Sequence, residues 1–209
     1  MAVLATATHW DGAYERNGAT NVSWFQASPA LSLQLIDSIG VDASDVAIDV
    51  GGGASTLVDG LLARGLTDLA VLDVSRVALD LSRERLGDAG ASVQWIHSDV
   101  LTWTPDHAYT LWHDRAVFHF LTEPSDRAHY VDLARSAIAL GGHLAIATFA
   151  DDGPLQCSGL PVARYCAADL AFVFGSSFTV VDARQETHAT PSGNTQRFTW
   201  LMLRRLSDS

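Results

Sequence analysis

The 209-residue chain is 48% hydrophobic and has a formal net charge of −11 at pH 7, from 13 Lys and Arg against 24 Asp and Glu. Because a chain of this length and composition buries a sizeable core, it predicts a globular protein and excludes a disordered one. The acidic balance and the lack of basic runs argue against nucleic acid as a partner, since phosphate binding needs clustered Lys and Arg.

The sequence also gives no sign of a membrane or secreted protein. It has no apolar run approaching the roughly 20 residues that span a bilayer. Its start, MAVLATATHWDGAYERNG, lacks the basic and apolar regions of a signal peptide. Two cysteines, Cys157 and Cys166, are too few for a disulfide scaffold. We therefore expect a cytoplasmic protein with reduced thiols, either a monomer or a homodimer.

Predicted helices and strands alternate along the chain. The predicted helices are residues 28–40, capped by Ser28 with Pro29 at the first position, 55–65, 75–90, capped by Ser75, and 124–141. The predicted strands are residues 46–50, 69–75, 92–100, a segment within 108–120, and 143–150, followed by two β-rich segments in 177–206 around the turn signal TPSGN. This order predicts an α/β fold with a parallel sheet covered on both faces and an antiparallel hairpin at one edge.

Three glycines follow the first predicted strand, in VAIDVGGGAST at residues 46–56. Ligands of parallel α/β sheets bind beyond the carboxyl ends of the strands, where a glycine turn lets the backbone and a helix N-terminus approach them. The pattern predicts a nucleotide-type cradle, with a plain tight turn as the alternative. The lack of Gly-Lys-Ser/Thr excludes a P-loop, and Thr56, standing where a dinucleotide fingerprint has its third glycine, weakens NAD.

Two acids end later strands and extend the nucleotide interpretation. Asp73 follows the glycines by about twenty residues, a position suited to the two hydroxyls of a ribose. Asp99, in HSDV, is placed to accept a hydrogen bond from an exocyclic amine such as that of adenine. The alternatives are a solvated carboxylate at the strand end for Asp73 and a cap or turn residue for Asp99.

As a group, AIDVGGGAST, Asp73 in VLDVS, Asp99 in HSDV and WHDRAVFHF resemble the class I S-adenosylmethionine-dependent methyltransferases, over nearly the whole chain. The resemblance implies a Rossmann-like three-layer α/β/α sandwich whose mostly parallel seven-stranded sheet has an antiparallel C-terminal strand. It implies one domain, 1–209, with residues 1–45 as an N-terminal lid or helical segment and residues 46–209 as the core. The implied cofactor is S-adenosylmethionine.

The resemblance also assigns residues to that cofactor by position. The implied cofactor-binding residues are Trp10, Tyr14, Trp24, Asp49, Gly51, Gly52, Gly53, Asp73, Val74, Asp99, Val100 and Asp114. Those of the first strand and its glycines match the segment against the methionine part, those after the second strand match the ribose site, and those after the third match the adenine site. Asp114 ends the fourth strand, where the active site of the family begins.

The segment HWDGAYERNGATNVSWFQASP resembles the N-terminal lid of members that act on small molecules. Trp10, Tyr14, Trp24, Phe25 and Gln26 fall where such members contact cofactor and acceptor. A helix packed on the sheet by its aromatic side chains is the alternative, and both interpretations can hold together.

The implied reaction asks little of the protein chemically. Methyl transfer from a sulfonium is an in-line displacement, so the protein mainly aligns the nucleophile and excludes water. A base is needed only if the nucleophile arrives protonated. His119 is the preferred candidate base and His113 the second, each with a structural role as the alternative, and Tyr14 and Asp114 complete the catalytic candidates.

The loop at residues 150–170 is rich in small and polar residues, as a mobile flap would be. The residues that we expect to reach the acceptor pocket from this loop and from the last turn are Cys157, Arg164, Tyr165, His188, Gln196 and Arg197. Because the cysteine spacing fits no zinc pattern, we expect no metal site.

The acceptor stays open at this stage. A small acidic domain with an aromatic lid favours a small molecule, with a thiol or other soft nucleophile as one option, and a protein lysine methyltransferase as the alternative. HDRA replaces the Asn/Asp-Pro-Pro-Tyr motif of DNA amino and glutamine methylation, which disfavours those acceptors. Outside this class, one alternative is a nicotinamide-dependent reductase, which is disfavoured because the sequence has no Tyr-x-x-x-Lys pair. A non-catalytic nucleotide binder is the other alternative.

Overall fold

The computed structural model describes residues 6–207, so residues 1–5 and 208–209 of the predicted domain lie outside the described part. Its strands are β1 (Val46–Val50), β2 (Asp68–Asp73), β3 (Gln94–His97), β4 (Tyr109–Arg115), β5 (Ile138–Phe149), β6 (Gln156–Cys157), β7 (Leu160–Pro161), β8 (Phe178–Ala189) and β9 (Thr195–Arg205). Its helices are α1 (Ala7–Asn17), α2 (Ala30–Ser38), α3 (Leu57–Leu62), α4 (Arg76–Leu86), α5 (Pro124–Ala137) and α6 (Ala167–Phe174), with 3₁₀ turns at Gly87–Gly90, Phe118–Phe120 and Gly175–Ser177.

Seven of these strands form one sheet in the order β3-β2-β1-β4-β5-β9-β8. Strands β1 to β5 pair in parallel, whereas β9 is antiparallel to both β5 and β8. The predicted mostly parallel sheet with a reversed C-terminal strand is therefore confirmed. The strand order reverses between β1 and β4, which is where open α/β sheets bind their ligands.

Helices cover both faces of the sheet, as the three-layer prediction requires. Alternate residues of β1 face opposite layers: Ile48 packs with the core under α5 and α6, and Ala47 with the core under α2, α3 and α4. Within residues 6–207, no helix is long and apolar enough to cross a membrane.

Several predicted boundaries and caps need correction. Residues 138–141 were predicted as helical, but α5 ends at Ala137 and β5 begins at Ile138, which pairs with Tyr109 of β4. Ser75 caps α4 as predicted, its hydroxyl accepting from the backbone N–H of Ala78. The start of α2 has no side-chain cap, so the Ser28 prediction is wrong there. The 150–170 loop holds the short β6–β7 hairpin, which the sequence did not reveal.

Candidate functional site

The main cavity lies beyond the carboxyl ends of β1 to β4 and encloses about 920 Å³ not filled by protein atoms, part of it open to solvent. Its lining residues are Trp10, Tyr14, Trp24, Val50, Gly51, Leu72, Asp73, Val74, Ser98, Asp99, Val100, Arg115, Ala116, Val117, Phe120, Leu121 and Cys157. Eight of these, from Trp10 to Val100, are predicted cofactor residues. The structure thus brings together segments that are far apart in the chain.

A second cavity adjoins it behind the glycine turn. Its lining includes Asp49 and Gly52 of the predicted methionine position, whereas Gly53 lines neither cavity, and it shares Tyr14, Trp24, Gly51 and Arg115 with the main cavity. The residues specific to this cavity are Ala19, Val22, Phe25, Gln26, Pro29, Ser32, Asp49, Gly52, Ala54, Ser55 and His113. The two cavities therefore adjoin at the ends of β1 and β4.

The glycine turn, residues 51–53, is held by the chain's own side chains. Gly51 has φ +69° and donates its N–H to the carbonyl of Leu72 at 2.7 Å. A Cβ on Gly52 would lie 2.5 Å from Oδ2 of Asp49, and one on Gly53 would lie 2.7 Å from Oδ2 of Asp73. The glycines therefore leave room for these two carboxylates, a reason for glycine at these positions that the sequence did not reveal.

Asp49 is buried and bound on one side only. Its Oδ1 lies 2.7 Å from Nδ1 of His113, whose Nε2 is 3.0 Å from the hydroxyl of Ser32. Its Oδ2 has no hydrogen-bond partner among the described residues. Because a buried carboxylate oxygen without a donor is unfavourable, Oδ2 is suited to a donor that arrives with a ligand. His113 has both ring nitrogens engaged, so it orients Asp49 and does not face the main cavity as a base.

Asp73 lines the main cavity at the end of β2 with 8% of its surface exposed. Its Oδ1 accepts from the backbone N–H of Ser75 at 2.7 Å. Burial raises the pKa of Asp73 to about 7, and the nearby charges of Asp49 and Asp11 add to this against the hydrogen bond from Ser75. The carboxylate is thus held in place and poorly solvated, which favours hydrogen-bond donors from a ligand.

Asp99 fits both of its predicted interpretations. It organises the turn after β3, because its Oδ1 accepts from the backbone N–H of Leu101 at 2.9 Å and its carbonyl accepts from that of Trp103. It also lines the main cavity with Val100 beside it.

The aromatic residues of the N-terminal segment close one wall of the cavity. The ring of Trp10 lies edge-on to Trp24 and Phe120, with centroids 5.5 and 5.1 Å away. The indole N–H of Trp24 donates to the Tyr14 hydroxyl at 2.9 Å. Burial raises the pKa of Tyr14 above its ordinary value, so the phenol stays protonated. The segment both packs on the protein and lines the site.

A carboxylate that the sequence did not point to anchors this segment. Oδ1 of Asp11 in α1 accepts from the hydroxyl of Ser75 and from the backbone N–H of Val77, at the start of α4. Two residues before Asp11, Nε2 of His9 lies 3.2 Å from the hydroxyl of Ser158, in the turn of the β6–β7 hairpin. Helix α1 therefore bridges the two sides of the cavity.

Asp114 does not line either cavity, which corrects its assignment as a catalytic and cofactor-binding residue. It is fully buried, and it accepts from the Tyr130 hydroxyl and from the backbone N–H groups of Val117 and Phe118. Its role is to hold the turn after β4 in place through these hydrogen bonds. Burial raises the pKa of Asp114 to about 6 against these hydrogen bonds.

His119 is likewise outside both cavities, so the structure does not support it as a base. Its ring is fully buried against Phe120 and Phe149, and its Nδ1 accepts from the backbone N–H of Phe149. Burial lowers the pKa of His119 to about 3, with the charge of Arg115 adding to the effect. A neutral, enclosed imidazole cannot reach an acceptor in the main cavity.

We expect Asp114→Asn to lower the free energy of unfolding by about 1–3 kcal/mol, because an amide cannot accept all the hydrogen bonds that converge on this buried carboxyl. Urea denaturation measures this, and Asp132→Asn, at a side chain 71% exposed, is the matched control. An Asp114→Asn protein as stable as the wild type would contradict this structural role of Asp114.

The far wall of the cavity is formed by residues that sequence reasoning largely missed. Val117, Phe120 and Leu121 come from the turn after β4, and Cys157 comes from the β6–β7 hairpin as predicted. The other predicted acceptor residues lie elsewhere: Arg164 binds the carbonyl of Gly153, Tyr165 packs in the core, and His188, Gln196 and Arg197 do not line the main cavity. Within residues 6–207, no three His, Cys, Asp or Glu side chains are placed to hold a metal ion.

Comparisons with known proteins support the fold. No protein-family model matches the sequence, and no curated protein matches it. Among solved structures, one reported for the conversion of a disulfide bond into a thioacetal group during echinomycin biosynthesis has a TM-score of 0.77 at 16% identity, covering 98% of this chain and 94% of the other.

Two further similar structures carry S-adenosylhomocysteine. The N-methyltransferase NodS of Bradyrhizobium japonicum has a TM-score of 0.70 at 17% identity, over 93% of this chain and 97% of NodS. The 1,6-didemethyltoxoflavin-N1-methyltransferase of Burkholderia thailandensis, with its substrate also bound, has a TM-score of 0.73 at 16% identity, over 96% and 87%. This chain therefore has the Rossmann-like fold of the S-adenosylmethionine-dependent methyltransferases.

Proposed function

We propose that the protein is an S-adenosylmethionine-dependent methyltransferase that acts on a small molecule. The observation that carries the proposal is the joint lining of one cavity by the glycine turn, Asp73 and Asp99, at the ends of three adjacent strands. Such a row of groups matches the three parts of an adenosyl amino acid. The similar fold of NodS and of the toxoflavin enzyme, both methyltransferases in their descriptions, supports it.

The residues present fit this cofactor chemically. Asp73 would accept from the ribose hydroxyls, and Asp99 from the adenine amine, with Val100 against the base. In the second cavity, Oδ2 of Asp49 has no partner in the described residues and would accept from an ammonium such as that of the methionine part. The cofactor, when bound, supplies a methyl group activated by the positive sulfur.

The chain's own contribution would be positioning and exclusion of water. Trp10, Trp24 and Phe120 line the cavity with apolar surface, and Trp10 of α1 packs against the other two rings. Burial raises the pKa of Tyr14 above its ordinary value and that of Cys157 to about 12, so neither is a base near neutral pH. We infer that the acceptor atom reaches the cavity as a nucleophile with a free electron pair and needs no protein base.

The geometry of the cavity favours a small acceptor over a lysine side chain in a protein. Helix α1 lines the cavity with Trp10 and Tyr14 and is attached to the start of α4 through Asp11 and to the β6–β7 hairpin through His9, and such a partly enclosed site suits a small molecule better than a peptide. A nicotinamide-dependent reductase has no support from the fold comparison. The acceptor atom, including the thiol option, stays a question for experiment.

Calorimetric titration with S-adenosylhomocysteine and S-adenosylmethionine, with NADH as the control ligand, tests the cofactor. We expect dissociation constants in the micromolar range for the first two and no heat with NADH. A folded protein that binds neither would contradict the proposal. Methyl transfer to any acceptor in a screen of small thiols, amines and carboxylates would then separate an enzyme from a non-catalytic binder.

A further inference from the structure

Arg115, the last residue of β4, presents unused hydrogen-bond donors to the two cavities. Its side chain is only 10% exposed, and it lines both cavities. Its Nη1 donates to the carbonyl of Trp24 at 3.1 Å. Its Nε and Nη2 are buried and have no hydrogen-bond partner among the described residues. Unused donors on a buried cation are unfavourable, so they mark a place for an acceptor group.

The neighbouring acids do not satisfy these donors. The closest carboxylate oxygen is Oε2 of Glu186, 3.7 Å from Nε. That carboxylate already accepts from the side-chain amide of Gln26 at 2.6 Å and from the indole N–H of Trp200 at 2.9 Å. The positive charge of Arg115 favours the thiolate form of Cys157, but burial has the larger effect and raises the pKa of Cys157 to about 12. Cys157 is therefore a neutral thiol and provides no negative charge for Arg115. Glu186 thus forms an ion pair with Arg115 on the Nε side, but its oxygen is beyond hydrogen-bonding distance, so neither Nε nor Nη2 donates to it.

The position of Arg115 separates it from the predicted adenosine site. Its guanidinium lies over the ring of Phe198 in β9, 4.5 Å from the ring centroid, and faces Glu186 in β8. Both strands are on the side of β4 away from β1, β2 and β3, whose ends carry the glycine turn, Asp73 and Asp99. The main cavity that Arg115 lines also has apolar and aromatic side chains in its wall, among them Phe120 and Trp24.

We propose that Arg115 binds a carboxylate of the methyl acceptor, and that the acceptor class is a small, largely apolar or aromatic molecule with one such group. The inference rests on the proposed function. Arginine presents two parallel N–H donors that match a carboxylate, and a site of low polarity strengthens the interaction. Because these hydrogen bonds withdraw electron density from the carboxylate, Arg115 anchors the acceptor and the methyl group goes to another atom of it.

The experiment compares two probes of equal shape on the protein saturated with S-adenosylhomocysteine. We expect 3-phenylpropionate to bind about tenfold or more tightly than 3-phenylpropan-1-ol, by calorimetry or ligand-observed NMR. Arg115→Met should remove this preference, and Arg115→Lys should retain part of it. Arg184→Met, which removes a charge from a side chain 58% exposed on β8, should leave the preference unchanged. Circular dichroism checks that each variant is folded.

A second comparison tests the main competing role, in which Arg115 holds the carboxylate of the cofactor itself. 5′-Methylthioadenosine lacks the amino-acid part of S-adenosylhomocysteine. We expect Arg115→Met to bind both compounds as the wild type does. A selective loss of S-adenosylhomocysteine would overturn the proposal, as would equal affinity of the wild type for the two phenyl probes. A wild type that binds 3-phenylpropionate but not S-adenosylhomocysteine would retain the anion site and contradict the methyltransferase function instead.

Discussion

Gly51→Ala is expected to destabilise the protein more than any other alanine substitution in the glycine turn. A Cβ at this position would overlap Cγ2 of Val117, a side chain of the turn after β4. The backbone also has φ +69°, a conformation that costs an alanine about 1–2 kcal/mol. Steric overlap adds to this, so we expect a loss of at least about 3 kcal/mol in the free energy of unfolding, from overpacking and strain together.

Two variants separate strain from overlap. Gly65 has φ +87° and open space around its Cβ position, so Gly65→Ala measures the backbone cost alone. Adding Val117→Ala to Gly51→Ala should relieve the overlap. The double variant should then be less stable than Val117→Ala alone by an amount close to the cost of Gly65→Ala. Urea denaturation gives the four values. If Gly51→Ala is no more damaging than Gly65→Ala, then the turn does not depend on its packing against Val117.

The packing of Val117 on Gly51 shows why the glycine turn could be predicted from the sequence while the side chains that require glycine there could not. Three consecutive glycines after a buried strand are a strong local signal, and Asp73 and Asp99 are found by the same rule because each ends a strand. The side chains that need the missing Cβ space, Asp49, Asp73 and Val117, come from three strands or turns. Which of them approaches the turn is a property of the tertiary structure, and spacing along the chain does not contain it.

Asp114 and His119 show the converse limit. Both are polar residues near a strand end, the pattern that identified Asp73 correctly as a cavity residue. The chain after β4 instead turns through Ala116, a non-glycine residue with φ +78°, and a 3₁₀ turn. The backbone of this turn folds over the buried Asp114 and donates to its carboxylate, His119 is buried, and Val117, Phe120 and Leu121 line the cavity. A positive φ at an alanine has no sequence signal, so the inversion could not be predicted.

Asp73→Asn is expected to change ligand binding and stability in opposite directions. The pKa of Asp73 is about 7 in the folded protein, raised from 3.8 mainly by burial. An acid with a raised pKa favours folding below its unfolded pKa, and this contribution is lost as the pH rises to about 7. At pH 8 the wild type therefore contains a buried, ionised carboxylate. Asparagine keeps an oxygen for the Ser75 N–H and carries no charge, so we expect the variant to be more stable by about 1–3 kcal/mol, or several degrees in Tm.

At pH 4 the stability difference should nearly disappear, because Asp73 is then protonated in the folded wild type. Thermal unfolding at the two pH values measures this. Asp88→Asn, at an exposed aspartate, is the control and should show no such gain. A variant that is less stable than the wild type at pH 8 would mean that the charge of Asp73 is compensated within the protein. That result would contradict the raised pKa of Asp73.

Binding of the proposed cofactor should respond the other way. Ribose hydroxyls donate more strongly to a carboxylate than to an amide oxygen, and hydrogen bonds to charged groups contribute about 1.5–3 kcal/mol, so affinity for S-adenosylhomocysteine should fall about tenfold or more in Asp73→Asn. Since binding favours the ionised form of Asp73, the affinity of the wild type should also decrease as the pH is lowered from 8 to 6. At the lower pH, ligand binding should release a proton from Asp73. The Asp73→Asn variant should lack this pH dependence. A carboxylate that is unfavourable for folding but required by the ligand is best explained as part of a binding site. If the variant instead gains stability without losing affinity, Asp73 is a buried acid with no part in the site, and the ribose must be held elsewhere.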